Sequence, residues 1–349
     1  MSAACRRMQQ VDCALANGGI VRNKDKDLTA EANGTIIGID FCCGHFLAPH
    51  GGKLALVMSA VVFAILHPLS PRELMTILGH IQWFFLLPRP TFAVLDACYA
   101  FARQTPADVA QQLPREVCAE LLVTALLLPA LESDLRRPWS PIVTASDASV
   151  NFGFGACVAA CTPNRARQLG RLAERRGDYV RLDRSGDDSD EAERPRLGTP
   201  HRLGLAKSAF QTVVQSRKQY KAHSSTLEAA GLVLLVRWIL RSTARHSTRI
   251  VVLVDAKAVL GAAARGRSSS ACLKREIRQL AALTLAGDLL LRYVYVPSED
   301  NPADAPSRGR RRRPATRHVL RPTRFSKRDL SIQRATAWAR EWCAARKPT

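Results

Sequence analysis

Four acidic residues, each embedded in its own short pattern, leave a chain few choices of fold. Asp147 ends Ile142-Val-Thr-Ala-Ser-Asp, and Asp255 ends Ile250-Val-Val-Leu-Val-Asp. Glu228 opens an amphipathic helix pattern in Ser224-Ser-Thr-Leu-Glu-Ala-Ala, and Asp304 follows the strand-like run 289–296 within Asn301-Pro-Ala-Asp-Ala-Pro-Ser-Arg308. The run Val251-Val-Leu-Val254 reads as a central strand buried on both faces, which places Asp255 beside Asp147 at the middle of a sheet. Carboxylates at the ends of neighbouring strands and on a packed helix converge on one point. Four converging carboxylates cannot all stay ionised without cations, so the pattern calls for divalent metal with oxygen ligands, most simply magnesium or manganese.

From residue 139 the expected order is two strands, a charged insertion over 162–206, a third strand near 215–223, and a helix over 225–241. A strand at 249–255, helices at 256–264 and 270–286, a strand at 289–296 and a loop carrying Asp304 complete it. Strands with helices between them give an α/β fold with a mixed sheet. The insertion holds little apolar sequence and an acidic cluster at 187–193, which predicts a mobile or partly disordered loop. It separates Asp147 from Glu228 by 81 residues, whereas 27 and then 49 residues lead on to Asp255 and Asp304.

This ordered Asp, Glu, Asp, Asp set, with Ser146-Asp-Ala-Ser149, Gly153-Phe-Gly-Ala156 and Asn301-Pro-Ala-Asp304, resembles the ribonuclease H domain of retroelement reverse transcriptases over residues 139–308. The resemblance implies a ribonuclease H-like mixed β-sheet flanked by helices, and two-metal hydrolysis of the RNA strand of an RNA–DNA hybrid. It implies that Asp147 bridges two ions, that Glu228 and Asp255 hold the ion at the leaving group, and that Asp304 holds the ion activating water. A hybrid would be recognised through 2′-hydroxyls and backbone shape with little base readout. One departure stands out. Many relatives carry a His shortly before the last Asp, but Tyr293-Val-Tyr-Val-Pro-Ser-Glu-Asp-Asn301 has none, leaving Glu299 as a partial substitute and implying a slower enzyme.

Residues 49–138 read as helical, over 53–67, 70–87, 91–103 and 106–134. Ser70, Pro71 and Glu73 supply an N-cap, a first-turn proline and a capping box, and Gly51-Gly52 is expected as a break. Ser70-Pro-Arg-Glu-Leu-Met-Thr-Ile-Leu-Gly-His-Ile-Gln-Trp83 is similar to the thumb of the same reverse transcriptases, which makes this a thumb or connection-like region. Residues 1–48 would then be a β-rich, incomplete palm-like segment with a strand over 34–41. The Tyr/Phe-x-Asp-Asp polymerase motif is missing, and Asp187-Asp188 lies in hydrophilic sequence. The expected partners are therefore nucleic acid and an upstream polymerase portion of the same element.

Charge agrees with a polyanionic partner: the net value is +21 at pH 7, and the pI is near 10.3. Residues 309–349 hold 13 Lys and Arg against 2 Asp and Glu, so 11 of those 21 charges sit in a basic tail. That tail suits non-specific phosphate binding or nuclear import, and 329–346 reads as a short helix with Trp338 and Trp342 on one face. Ser149 and Asn151 are candidate phosphate or sugar contacts, or simple turn caps. Arg265, Arg267 and Ser268 precede a helix start and suit a phosphate backbone, as does Arg308. Ten scattered cysteines form no disulfide framework, and Cys42-Cys43-Gly44-His45 lacks the second ligand pair that zinc needs. No secretory signal opens the chain, and the apolar run 54–66 is too short to span a bilayer, so an intracellular, nuclear or cytoplasmic setting is expected. Two other readings compete: a non-catalytic nucleic-acid-binding remnant, and an integrase-like nuclease, which the loop position of Asp304 disfavours.

Overall fold

The computed structural model describes residues 3–20, 31–173, 175, 177–183 and 197–310. Asp187-Asp188, the tail beyond 310 and the Trp338/Trp342 pattern lie outside the described residues. The start expected to be β-rich also contains a helix. A helix, α1 (Ala3–Asn17), comes first, followed by three short strands, β1 (Gly34–Ile36), β2 (Ile39–Cys42) and β3 (Phe46–Pro49). The single strand expected over 34–41 is a hairpin, because Ile37 and Gly38 turn it with φ of 51° and 78°.

Gly51 and Gly52 do not break the chain. They form the first turn of α2 (Gly51–Leu66), where backbone freedom costs least. Next comes α3 (Pro71–Phe85), whose capping box is complete: Ser70 Oγ accepts from Glu73 N at 3.3 Å and Glu73 returns to Ser70 N at 2.8 Å. A 3₁₀ turn (Arg89–Val94), α4 (Asp96–Phe101) and α5 (Arg115–Leu127) replace the two long helices expected beyond residue 91. Proline at 106 and 114 and the bridge from Leu69 to Gln111 keep 106–114 out of helix. Val61, Leu74, Leu78, Ile81, Phe85 and Leu121 form the helical core, all fully buried. After α5 the chain returns to β3 as β4 (Ser133–Asp134).

The second half is a mixed five-stranded sheet built from β5 (Trp139–Ala148), β6 (Gly153–Ala160), β9 (Gln211–Arg217), β10 (Arg249–Val254) and β11 (Leu290–Tyr295), in the order β11-β10-β5-β6-β9. The β11, β10 and β5 strands are parallel, and β5, β6 and β9 are antiparallel. One face is covered by α7 (Ser224–Leu240), α8 (Lys257–Arg265) and α9 (Ala271–Ala286), through Leu232, Leu235, Val236, Val252 and Ile277. The α7 pattern proves largely buried, because β5 and β6 lie on one side of the helix and α9 on the other.

The opposite face corrects the expected loop over its described part, whereas 184–196, with the acidic cluster at 187–193, lies outside the described residues. Residues 162–206 supply α6 (Pro163–Leu172) and the parallel pair β7 (Tyr179–Asp183) and β8 (Pro200–Ala206). Thr162 caps α6, and Ala166, Leu169, Leu172, Val180, Leu182 and Leu203 bury against the sheet. Six apolar positions at helical and alternating spacing suffice to order a polar segment when a sheet face is waiting for them. A short helix, α10 (Asp304–Ser307), ends the described chain where a loop was expected. No helix among the described residues is long and apolar enough to cross a membrane.

The two halves touch along α9 and the 3₁₀ turn. Arg278 Nε donates to Ala93 O at 3.1 Å, Lys274 pairs with Asp96 at 2.7 Å, and Gly266 ends α8 with φ of 71°. A Cβ there would lie 2.1 Å from Arg89 O. Gly266→Ala should therefore destabilise the protein by ~1–3 kcal/mol, through left-handed strain and a backbone clash, in denaturant unfolding; unchanged stability would contradict the contact.

Candidate metal centre

Sequence register brings the acids together. Leu253 of β10 stands opposite Ala145 of β5, so two residues further along each parallel strand Asp255 and Asp147 emerge side by side. Glu228 reaches the same point from the first turns of α7. Its Oε2 accepts from Ala148 N at 3.1 Å, which fixes the carboxylate over the end of β5. Gly231, one helical turn on, packs closely on the same strand end: a Cβ there would lie 3.2 Å from Asp147 O, tighter than ordinary contact. Asp147, Glu228 and Asp255 each offer a ligand atom within 4.8 Å of the others.

The last segment lies across the strand ends. Asn301 Nδ2 donates to Ser146 O at 3.1 Å, and its Oδ1 accepts from Ala303 N at 3.0 Å. Ser307 is fully buried and its hydroxyl donates to Asp147 Oδ2. This packing needs Gly155, the β6 partner of Asp147, because a Cβ there would lie 2.5 Å from both Ala303 O and Ser307 N. Beneath the segment sits Arg181 of β7, only 2% exposed, bonded to Glu299 at 3.1 Å and Asp300 at 3.3 Å. The Glu299 carboxylate expected to substitute for a His is thus already engaged by a buried guanidinium.

Asp304 stands outside the close group. Its Oδ1 accepts from Arg308 Nε at 2.8 Å, so Arg308 faces this carboxylate. Its charge is nevertheless felt by all three members of the group. Ser149 and Asn151 form the β5–β6 turn, where Ser149 Oγ accepts from Asn151 N at 3.3 Å. Arg265, Arg267 and Ser268 lie elsewhere, on a cleft of about 670 Å³ shared with Tyr99, Arg103 and Lys274. Arg267 stacks over Phe92 and Tyr99, with its guanidinium 5.8 and 5.4 Å from their ring centres, and Ser268 Oγ accepts from Ser270 N at 3.1 Å.

Asn301, Ser307, Gly155, Gly231 and Arg181 were not singled out as site residues from sequence. The first two stand inside the Asn301–Arg308 motif, and Gly231 is a small residue one turn from Glu228, so each carried a local signal. Arg181 carried none beyond being a charge inside an apolar run.

Burial and mutual repulsion dominate the electrostatics. Desolvation first, then the Asp255 charge, pushes Asp147 up to about 7, against the Ser307 hydrogen bond. Desolvation, then Asp147 and Asp255, pushes Glu228 up to about 9. Asp255 is raised by burial and held back by the Ser298 and Asn301 side chains; its Oδ1 is buried without a hydrogen-bond partner. Three crowded carboxylates that resist ionisation, with one bare buried oxygen, fit a hard divalent cation in place of their protons.

No family profile matches the chain, and no curated protein matches it. Among solved structures it is similar to the foamy viral protease-reverse transcriptase dRH in complex with double-stranded DNA, at 12% identity and a TM-score of 0.32 over 83% of this chain and 42% of that one. It is also similar to the foamy viral protease-reverse transcriptase in complex with RNA/DNA hybrid, at 11% identity and 0.33 over 92% and 36%. The chain spans less than half the length of either neighbour.

Raised carboxylate pKa values mean that the folded state holds these protons more tightly than the unfolded chain does. That stabilisation is complete below about pH 4 and is lost as pH rises through about 7 and then 9. Metal-free protein should lose thermal stability between roughly pH 5 and pH 9, with a slope that Glu228→Gln reduces. Magnesium should raise Tm more at about pH 8 than at about pH 5, since the ion displaces protons only where few remain. Equal slopes in the two proteins would contradict the coupling.

Proposed function

We propose that residues 139–308 form a ribonuclease H-like domain that hydrolyses the RNA strand of RNA–DNA hybrids with two divalent ions, magnesium or manganese. The observation that carries this reading is the meeting of Asp147, Glu228 and Asp255 at the ends of the two parallel central strands, with ligand atoms within 4.8 Å. Bound there, divalent cations would lower the pKa of a water and offset charge building on the leaving 3′ oxygen. The chain's own part is positioning. Ser307 orients Asp147, Ala148 N–H orients Glu228, and Arg181 with Asn301 holds the closing segment against the strand ends. Arg103, Arg265, Arg267 and Lys274 give the duplex backbone a cationic cleft spanning both halves, to which the basic tail adds non-specific attraction. The helical residues 49–138 are read as thumb or connection-like, with the polymerase portion of the same element as partner.

The test is cleavage of a labelled RNA–DNA hybrid by the full chain with and without magnesium. Asp255→Asn should lower the rate by ~10²-fold or more, because losing one ligand forfeits several kcal/mol of transition-state stabilisation. Undiminished cleavage by Asp255→Asn would reject the reading.

One observation favours a second reading, a nucleic-acid-binding remnant without turnover: Asp304 is tied to Arg308 and apart from the other three acids. Arg308→Gln would free Asp304. If Asp304 is a ligand, manganese should bind this variant roughly two- to fivefold tighter, the scale of an exposed ion pair. Unaltered affinity, together with absent cleavage, would favour the remnant.

A further inference from the structure

The β9 edge of the sheet, beside the acidic centre, carries cations that the metal chemistry does not use. Asp147 of β5 stands opposite Gly155 of β6, and Gly155 stands opposite Gln215 of β9, so the three share one face of the sheet. Arg217, opposite Gly153, lies two residues further along β9 and therefore on that same face. Two strand spacings and two residues of rise put Arg217 roughly 12 Å from Asp147, the length of about three to four nucleotides of one strand. The β5–β6 turn is tied to this edge, since Lys218 N donates to Phe152 O at 2.9 Å.

Arg217 is oriented but not neutralised. It is exposed, and its guanidinium lies over the Phe152 ring, 5.6 Å from the centroid. Gly309 packs against the same ring: its φ is 78°, and a Cβ there would lie 2.7 Å from Phe152 Cδ2. Next along the chain, Arg310 O accepts from Gln215 Nε2 at 3.4 Å. These contacts seat the root of the basic tail on the β9 edge. Among the described residues no carboxylate pairs with Arg217, Lys218 or Arg310, whereas Arg308 is paired with Asp304. Exposed cations left unpaired along one edge favour a polyanion laid across them.

We propose that Arg217, Lys218 and Arg310 form a rim that grips the phosphates of a nucleic-acid strand a few nucleotides from the acidic centre, with Phe152 holding the Arg217 guanidinium in place. A guanidinium stacked on a ring keeps its N–H fork free for a phosphate. The rim shares no residue with the cleft of Arg265 and Arg267. It rests on the reading of residues 139–308 as a nuclease domain, which supplies the identity of the strand. The basic tail then starts beside the bound backbone.

Equilibrium binding of a labelled RNA–DNA hybrid to the full chain, in EDTA and over a series of sodium chloride concentrations, tests the rim without calling on cleavage. Each phosphate contact adds about one to the slope of log affinity against log salt. Arg217→Gln with Lys218→Gln should therefore reduce the slope by about two and weaken binding roughly ten- to hundredfold at ~0.1 M salt. Arg217→Lys, which keeps the charge, should keep the slope; a slope as low as that of Arg217→Gln would make Arg217 a packing residue and overturn the contact. Arg115→Gln, the same charge lost from the exposed face of α5, should bind as the wild type does. An unchanged slope in the double variant, an equal loss in Arg115→Gln, or a wild-type chain that does not bind the hybrid would overturn the rim. Cleavage by Asp255→Asn in magnesium is scored separately, so undiminished cleavage there rejects the nuclease reading and leaves the binding result standing.

Discussion

Mutual repulsion among three buried carboxylates is the constraint around which the second half of this protein is arranged. No isolated chain would hold Asp147, Glu228 and Asp255 within a few ångströms of one another, because each loses water and gains a like charge. The parallel register of β5 and β10 imposes two of the positions through backbone hydrogen bonds far stronger in sum than the repulsion. The third comes from α7, where Gly231 packs closely on the strand end. Small groups then moderate the crowding one oxygen at a time: the Ser307 hydroxyl on Asp147 and the Ala148 N–H on Glu228. One oxygen of Asp255 is left bare, which is the state expected of a ligand atom rather than of a structural hydrogen-bond acceptor.

The surroundings serve this arrangement in ways that only the fold reveals. The charged insertion supplies β7, and β7 supplies Arg181, whose buried guanidinium braces Glu299 and Asp300 just before Asn301 crosses to Ser146. A segment with the composition of a solvated loop therefore anchors the part of the chain that closes the acidic centre. The helical half docks through its 3₁₀ turn onto α9, so that Arg103 of one half and Arg265 and Arg267 of the other line the same cleft. Positive charge is thus placed at the junction of the halves and in the tail, while three acids are gathered at the strand ends. That separation suits a polyanion drawn to a site that must also hold cations.

Much of this was legible from sequence. The run ending at Asp255 is apolar throughout and that ending at Asp147 is interrupted only by the small Thr144 and Ser146, and both strands proved to lie inside the sheet; Ser70 and Glu73 form the capping box their spacing implies. The meeting of Asp147 and Asp255 followed from strand ends, and that of Glu228 from its place in the first turns of a helix packed on them. What was not legible depended on partners distant in the chain. Ala166, Leu169 and Val180 become core only because a sheet face built from β5 and β6 together with β10 and β11, the last two far along the chain, is there to receive them. The Ile37-Gly38 turn divides what looks like one strand, since positive φ at an isoleucine has no sequence signature. Asp304 was grouped with the other acids by motif, but the side chain four residues later, Arg308, claims it.

Whether the three acids form a cation site can be read from anomalous diffraction by crystals of the full chain soaked in manganese. One or two anomalous peaks are expected at about 2.0–2.4 Å from carboxylate oxygens of Asp147, Glu228 and Asp255. The absence of any peak there at saturating manganese, with the three side chains hydrogen-bonded to one another as protonated acids, would contradict it.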